Sequence, residues 1–262
     1  GIGYAALSEN TGGSGNTAIG KSACNENVSS SNLTSVGYRA LQKNTGGNNN
    51  TAVGADSLRF NTTGPHNTGL GRSALTAATT GTGNTAVGAF ALDVTTIRNY
   101  HVAIGAFALD SNTTASYNVG VGYSSLGVNT TGASNVAVGA FALDANTNGG
   151  SNVAIGNNAL TSNTTASNNI AIGHNTLNAN TTGDNNTAIG KEALLSNTTG
   201  DNNASLGIYS LYSNTSGNLN TAVGRSAIFT NTTGSSNTGC GNFTLGYNTT
   251  GSNNTAVGRD AL

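Results

Sequence analysis

Charge is the scarcest feature of this sequence: 7% of its 262 residues are Asp, Glu, Lys or Arg, and the net charge is −1. No basic surface is available to neutralise phosphates or hold anionic lipid, so nucleic acid is not an expected partner. No apolar run approaches the roughly 20 residues that cross a bilayer, and no charged-then-apolar leader opens the chain. No membrane insertion is expected in this segment. The two cysteines, Cys24 and Cys240, stand where other repeats carry Leu and Val or Ile. At the strand spacing of about 4.8 Å they lie on the order of 60 Å apart, too far to pair. They are expected to be small buried hydrophobes. His66, His101 and His174 fall at three different places in the repeat, several coils apart, and cannot converge on a metal or a nucleophile. With no phosphate-binding loop, metal-ligand cluster or nucleophile elbow either, no enzymatic activity, metal or cofactor is expected.

What is present is a period. Gly3, Gly20, Gly37, Gly54, Gly71, Gly88 and every seventeenth residue thereafter to Gly258 is glycine, without insertion or deletion. Seventeen residues are too few for a helical repeat and no 3.6-residue pattern occurs, so the period predicts an all-β parallel β-solenoid of about 15 coils, a single repetitive segment over 1–262. The chain does not begin with Met and both ends cut a repeat, which predicts a segment of a longer fibrous protein.

Each glycine follows an apolar residue (Ile19, Val36, Val53, Leu70, Val87), a small one (Ala18, Ser35, Ala52, Gly69, Ala86) and a Thr or other β-branched residue (Thr17, Val102, Val136, Ile170). The alternation predicts a strand whose β-branched face is buried, with something lying close against the small-residue face as well. Before the strand stands Asn in 13 of 15 repeats: Asn16, Asn50, Asn67, Asn84, Asn118, Asn135, Asn152, Asn169, Asn186 and onward, with Leu33 and His101 as substitutes. Stacked amides there would form a ladder along the axis. After the glycine, a small residue and then Leu predict a second short strand whose Leu is buried, and the glycine itself fits a corner that a Cβ would obstruct. The remaining Asn-Thr-Thr-Gly segment is turn material, where the one proline, Pro65, also falls. Apolar burial within one coil is small, so hydrogen bonding between coils and lateral self-association, in a threefold or an end-to-end fibre, are expected.

Units such as Asn152-Val153-Ala154-Ile155-Gly156-Asn157-Asn158-Ala159-Leu160 and Asn186-Thr187-Ala188-Ile189-Gly190 resemble the head repeat of YadA-type trimeric autotransporter adhesins, and are similar to repeats of phage and viral fibres. The resemblance implies a left-handed parallel β-roll, three chains around an axis, and an extracellular or cell-surface location engaging matrix or host surfaces. The period here is a few residues longer, by the inserted Asn-Thr-Thr-Gly turn.

Several rows could carry function. Asn27, Asn61, Asn112, Asn129, Asn163, Asn180, Asn197, Asn214, Asn231 and Asn248 each open Asn-X-Ser/Thr seven residues after a glycine, and Asn32, Asn49, Asn185, Asn203, Asn242 and Asn253 add sequons elsewhere. On exposed turns of an exported protein these would accept covalent glycans. The following Thr row (Thr11, Thr45, Thr62, Thr79 onward) admits an ice-binding alternative. Asp93, Asp110 and Asp144 form an acidic edge, expected to be solvated rather than a Ca²⁺ site. Phe90, Phe107 and Phe141, two after their glycines, are a candidate ligand face for sugars or a neighbouring fibre. The expected function is a structural fibre or surface coat, with an adhesin or phage-fibre role and ice binding as alternatives.

Overall fold

The computed structural model describes residues 1–94, 97 and 99–262 and is an all-β parallel β-solenoid of 17-residue coils. Its strands are three residues long. A first compact unit, Gly1–Thr131, holds β1 (Thr17–Ile19) to β7 (Val119–Val121), and a second, Gly132–Leu262, holds β8 (Val136–Val138) to β15 (Thr255–Val257). Within each unit every strand pairs in parallel with the next, offset by one repeat. Thr17 faces Thr34, Ala18 faces Ser35 and Ile19 faces Val36 in the first; Val153 faces Ile170, Ala154 faces Ala171 and Ile155 faces Ile172 in the second. Equivalent residues of consecutive coils are therefore neighbours along the stack.

The strand is turned inside out relative to the sequence expectation. The small central residue (Ala52, Ala86, Ala103, Ala154, Ala188) is fully buried, whereas the β-branched residues flanking it point outward, with Ile104 41% and Ile155 38% exposed. The reason is room. The inward residue packs against the Ala and Leu that follow the glycine, and at Gly120 even a Cβ would come within 3.3 Å of Leu109 Cγ. A coil this narrow admits Ala, Gly or Ser there and sends the larger side chains out. The close contact expected on the small-residue face is thus the core of the solenoid itself.

The second strand expected after the glycine is absent among the described residues, although its Leu is buried as expected. Ala91 and Leu92 are consecutive and both fully buried. An extended strand sends successive side chains to opposite faces and cannot do this. The chain instead alternates through left-handed conformations, Phe90 at φ 59° and Leu92 at φ 54°. Inter-coil bonding survives the change: the Phe90 amide donates back to Arg72 O (3.0 Å) and the Leu92 amide forward to Ala108 O (3.1 Å). Left-handed non-glycine residues are individually unfavourable, so the conformation rests on these bonds and on burial of the Leu row.

The periodic glycine behaves as the corner it was expected to be. Gly88 has φ 136°, and a Cβ on it would lie 2.6 Å from both the carbonyl carbon and oxygen of Gly105. Neither contact is with a flexible group. Gly88→Ala is therefore expected to destabilise the fold by about 3 kcal/mol or more, checked by denaturant unfolding against Ala89→Ser, a change outside the corner that should be nearly neutral.

Candidate functional site

The most highly organised side chains are the asparagines, which line two buried ladders. The expected ladder before the strand is present. The Asn152 amide donates to Asn135 Oδ1 (2.9 Å), and Asn152 Nδ2 donates to Ala166 O (2.8 Å) in the next coil. Asn169 and Asn186 repeat the pattern. In the first unit the Asn67 and Asn84 backbone amides each donate to Oδ1 of the asparagine one coil earlier. Each carboxamide thus both accepts from and donates to the next coil, clamping it at two points.

The substitutes show what the position requires. His101 accepts the Asn118 amide on Nδ1 (3.2 Å), which places its proton on Nε2, 2.9 Å from Ala115 O. The neutral ring thereby reproduces both functions of an asparagine. Burial holds its pKa below the usual histidine value, against the raising effect of its bonds to Ala115 and Asn118. The Leu33 backbone amide still donates to Asn16 Oδ1 (3.0 Å), but its side chain offers the next coil neither acceptor nor donor.

The second ladder overturns the expected display of the Asn-X-Ser/Thr turns. Asn27, Asn61, Asn112, Asn129, Asn163, Asn180, Asn197, Asn214 and Asn231 are fully buried, and Asn248 is half-buried. Asn163 Nδ2 donates to Asn146 Oδ1 (2.8 Å) and to Ala166 O (3.0 Å), and Asn180 in turn donates to Asn163 Oδ1 (3.1 Å). Even Asn248 makes both bonds, to Asn231 Oδ1 and Gly251 O. A glycan on Nδ2 would have to replace these bonds and find a path out through the coil wall, so the ten turn asparagines are not displayed acceptors in the folded chain. Of the other sequons, Asn203 is also buried, while Asn32, Asn49, Asn185, Asn242 and Asn253 are exposed.

The turn threonines extend the same logic outward. Thr147 Oγ1 donates to Thr164 O (2.9 Å), Thr164 to Thr181 O (3.2 Å) and Thr198 to Thr215 O (3.1 Å). Each hydroxyl proton is committed to the next coil. A further ladder escaped the sequence reading: the Ser167 amide donates to Asp184 Oδ1, Asp184 to Asp201 Oδ1, Asp201 to Asn218 Oδ1 and Asn218 to Ser235 Oγ, at 2.6–3.0 Å. The signal was available as an oxygen-bearing side chain recurring one residue after the turn glycine.

The rows proposed for ligands are less open than expected. Phe90 and Phe107 stack on each other at 5.4 Å and 6°, Arg72 lies 5.2 Å over Phe90, and Tyr123 meets Phe107 edge-on. Their ring faces are thus turned along the stack, and a flat ligand finds edges. Phe141 is 38% exposed. Burial raises the pKa of Asp93, and burial together with the charge of Asp93 raises that of Asp110. Among the described residues no three His, Cys, Asp or Glu side chains gather as a metal site, and no pocket is found. Cys24 is buried as expected, its thiol pushed up to about 12 by that burial, but Cys240 is exposed because it occupies an outward strand position.

The outward face of the strands is open to solvent. In both units it carries one rank of Thr, Val, Ile or Ala and a second of Ile, Val, Leu or Cys, with no charged residue in either. No family model, curated protein or solved structure matches the chain.

Asn61 Oδ1 is buried without a partner, because the residue one repeat on is Ala78 rather than Asn. Ala78→Asn should supply that donor and stabilise by about 1 kcal/mol, whereas Asn163→Ala should cost about 2–3 kcal/mol by stranding its neighbours; denaturant midpoints of the two variants check both. For His101, the folded pKa lies below the unfolded value of about 6.5. The unfolded chain therefore takes up the proton first as pH falls. The contribution is fully present above about pH 6.5 and is lost as pH drops below it. His101→Asn should abolish that loss, seen as a smaller fall in Tm than wild type between pH 7.5 and pH 5.

Proposed function

We propose that this chain is a non-enzymatic structural fibre segment, displayed at or outside a cell surface, which associates laterally with copies of itself through the outward strand face. The observation that carries the reading is the uncharged, largely aliphatic double rank that the strands hold toward solvent. Contiguous apolar patches beyond a few hundred Å² mark interaction surfaces. At about two-fifths exposure, the outer rank of a unit's seven or eight strands leaves on the order of 500 Å², to which the part-exposed first rank adds, approaching the roughly 800 Å² per partner of a standard interface.

A second copy of the same chain suits this face better than an unrelated partner. The ranks offer no charge by which a partner could be steered or selected, and their spacing is that of the stacked strands, which another copy presents in the same comb. The resemblance to YadA-type heads supports threefold closure and a surface location. It also supports an adhesin or phage-fibre role for such a bundle. With the strand faces covered, the turns and the segment after each glycine become the outer surface. Ice binding by the turn threonines receives less support, since their hydroxyl protons are already committed.

Sedimentation equilibrium tests the proposal. The wild-type chain is expected to be oligomeric at micromolar concentration. Ile155→Asp with Ile189→Asp, which places carboxylates on the outward rank without touching a ladder, should give a monomer with unchanged β circular dichroism. A monomeric wild type, or an oligomer indifferent to the two aspartates, would overturn it.

A further inference from the structure

The second unit carries an aromatic tract on the segment that follows its glycines, on side chains separate from the strand face. Tyr209 and Tyr212 meet edge to face (5.8 Å, 75°), Tyr212 stacks on Phe229 (5.1 Å, 15°), Phe229 tilts onto Phe243 (6.4 Å, 36°), and Phe243 meets Tyr247 edge to face (5.1 Å, 81°). Tyr212 and Phe229 turn their faces along the stack as Phe90 and Phe107 do, but Tyr209 and Tyr247 stand nearly perpendicular to the rings they meet. Rings set at near-perpendicular angles cannot all hide their faces on one another, and Tyr247 is 74% exposed.

A line of cations borders the tract. Lys191, Arg225 and Arg259 each stand directly after a glycine, are exposed, and are spaced two coils apart, about 9.6 Å by strand spacing. No acidic residue occupies that row in the second unit. Lys191 lies 5.7 Å over the Tyr209 ring and 3.5 Å from Glu192, and Arg259 is 3.3 Å from Asp260. Arg225 has no ion pair among the described residues. Exposed pairs of this kind are weak and can exchange for a ligand carboxylate.

We infer that this tract is a binding site for an acidic polysaccharide, the apolar faces of its sugar rings resting on Tyr209 and Tyr247 and along the outer edges of the Tyr212–Phe229 stack, while its carboxylates meet Lys191, Arg225 and Arg259. Aromatic platforms with a few placed polar groups suit such a ligand. An extended polyuronate repeats its carboxylates along one direction, as the solenoid repeats its cations, so several weak contacts act together. Three cations in a chain of net charge −1 are too few to hold a phosphate backbone, which favours a saccharide over a nucleic acid.

The test is binding of the wild-type chain to polygalacturonate, to neutral dextran and to a single-stranded oligonucleotide, by affinity electrophoresis and calorimetry. Binding to polygalacturonate alone is expected, weakening with salt. Arg225→Gln with Arg259→Gln, both on exposed side chains, should reduce affinity about fivefold and flatten the salt dependence. Tyr212→Ala should reduce it about tenfold. Because Tyr212 is half-buried, the arginine pair keeps the test valid if that variant loosens its coil. No binding, equal binding to dextran, preference for the oligonucleotide, or indifference to the arginine pair would each overturn the inference. Sedimentation of the arginine variant, expected to match wild type, separates this site from the strand-face association.

Discussion

The fold depends on buried carboxamides that both accept and donate across the joint between coils, Asn152 with the next coil alone and Asn163 with the coils on either side. Asparagine does this with a short side chain, and the narrow interior leaves room for little else. Gln would overreach, an ionised Asp could not donate, and Ala breaks the relay, as the stranded Asn61 Oδ1 beside Ala78 shows. Linked hydrogen bonds in a dry interior reinforce one another and penalise any member left unpaired. That accounts for a repeat length without insertions: one extra residue would take both ladders, the glycine corner and the strand out of register at once. It also accounts for His101, whose neutral ring presents an acceptor and a donor where asparagine would.

Committing the interior to small residues and amides has a consequence for the outside. The Leu and Ala rows fill the core, and the β-branched residues that would form the core of a wider solenoid are displaced to the surface. There they make a flat apolar face on one side of each coil, while the turns spend most of their polar groups on neighbouring coils. The proposed association through the strands and the proposed recognition through the segment after the glycine therefore call on different side chains.

Much of this was legible in the residues. The seventeen-residue step, the glycine corner, the inward Leu row and the first asparagine ladder all follow from periodicity and residue type. Alternation at Thr17-Ala18-Ile19 shows that the strand has two faces but not which is inside, and the usual weight given to β-branched residues chose the wrong one. The deciding quantity is the width of the coil, which depends on how the Ala and Leu after the glycine are packed. Their adjacency, as in Ala91-Leu92, was itself the sign that this segment could not be an extended strand. The turn asparagines were correctly assigned to turns and wrongly to the surface, because a sequon and an inward carboxamide use the same Asn-Thr pair. The aromatic rows were visible, but whether their rings stack along the axis, as at Phe90 and Phe107 and at Tyr212 and Phe229, or meet at angles, as at Phe243 and Tyr247, depends on their neighbours.

Hydrogen exchange of the asparagine side-chain Nδ2 protons, resolved by NMR, tests the central claim most directly. The relay predicts that the carboxamide protons of Asn152, Asn163, Asn169 and Asn180 exchange as slowly as the strand amides around them, while those of the exposed Asn242 exchange at the rate of a free side chain. Exchange of the ladder carboxamides as fast as that of Asn242 would mean that the coils are not held together in this way.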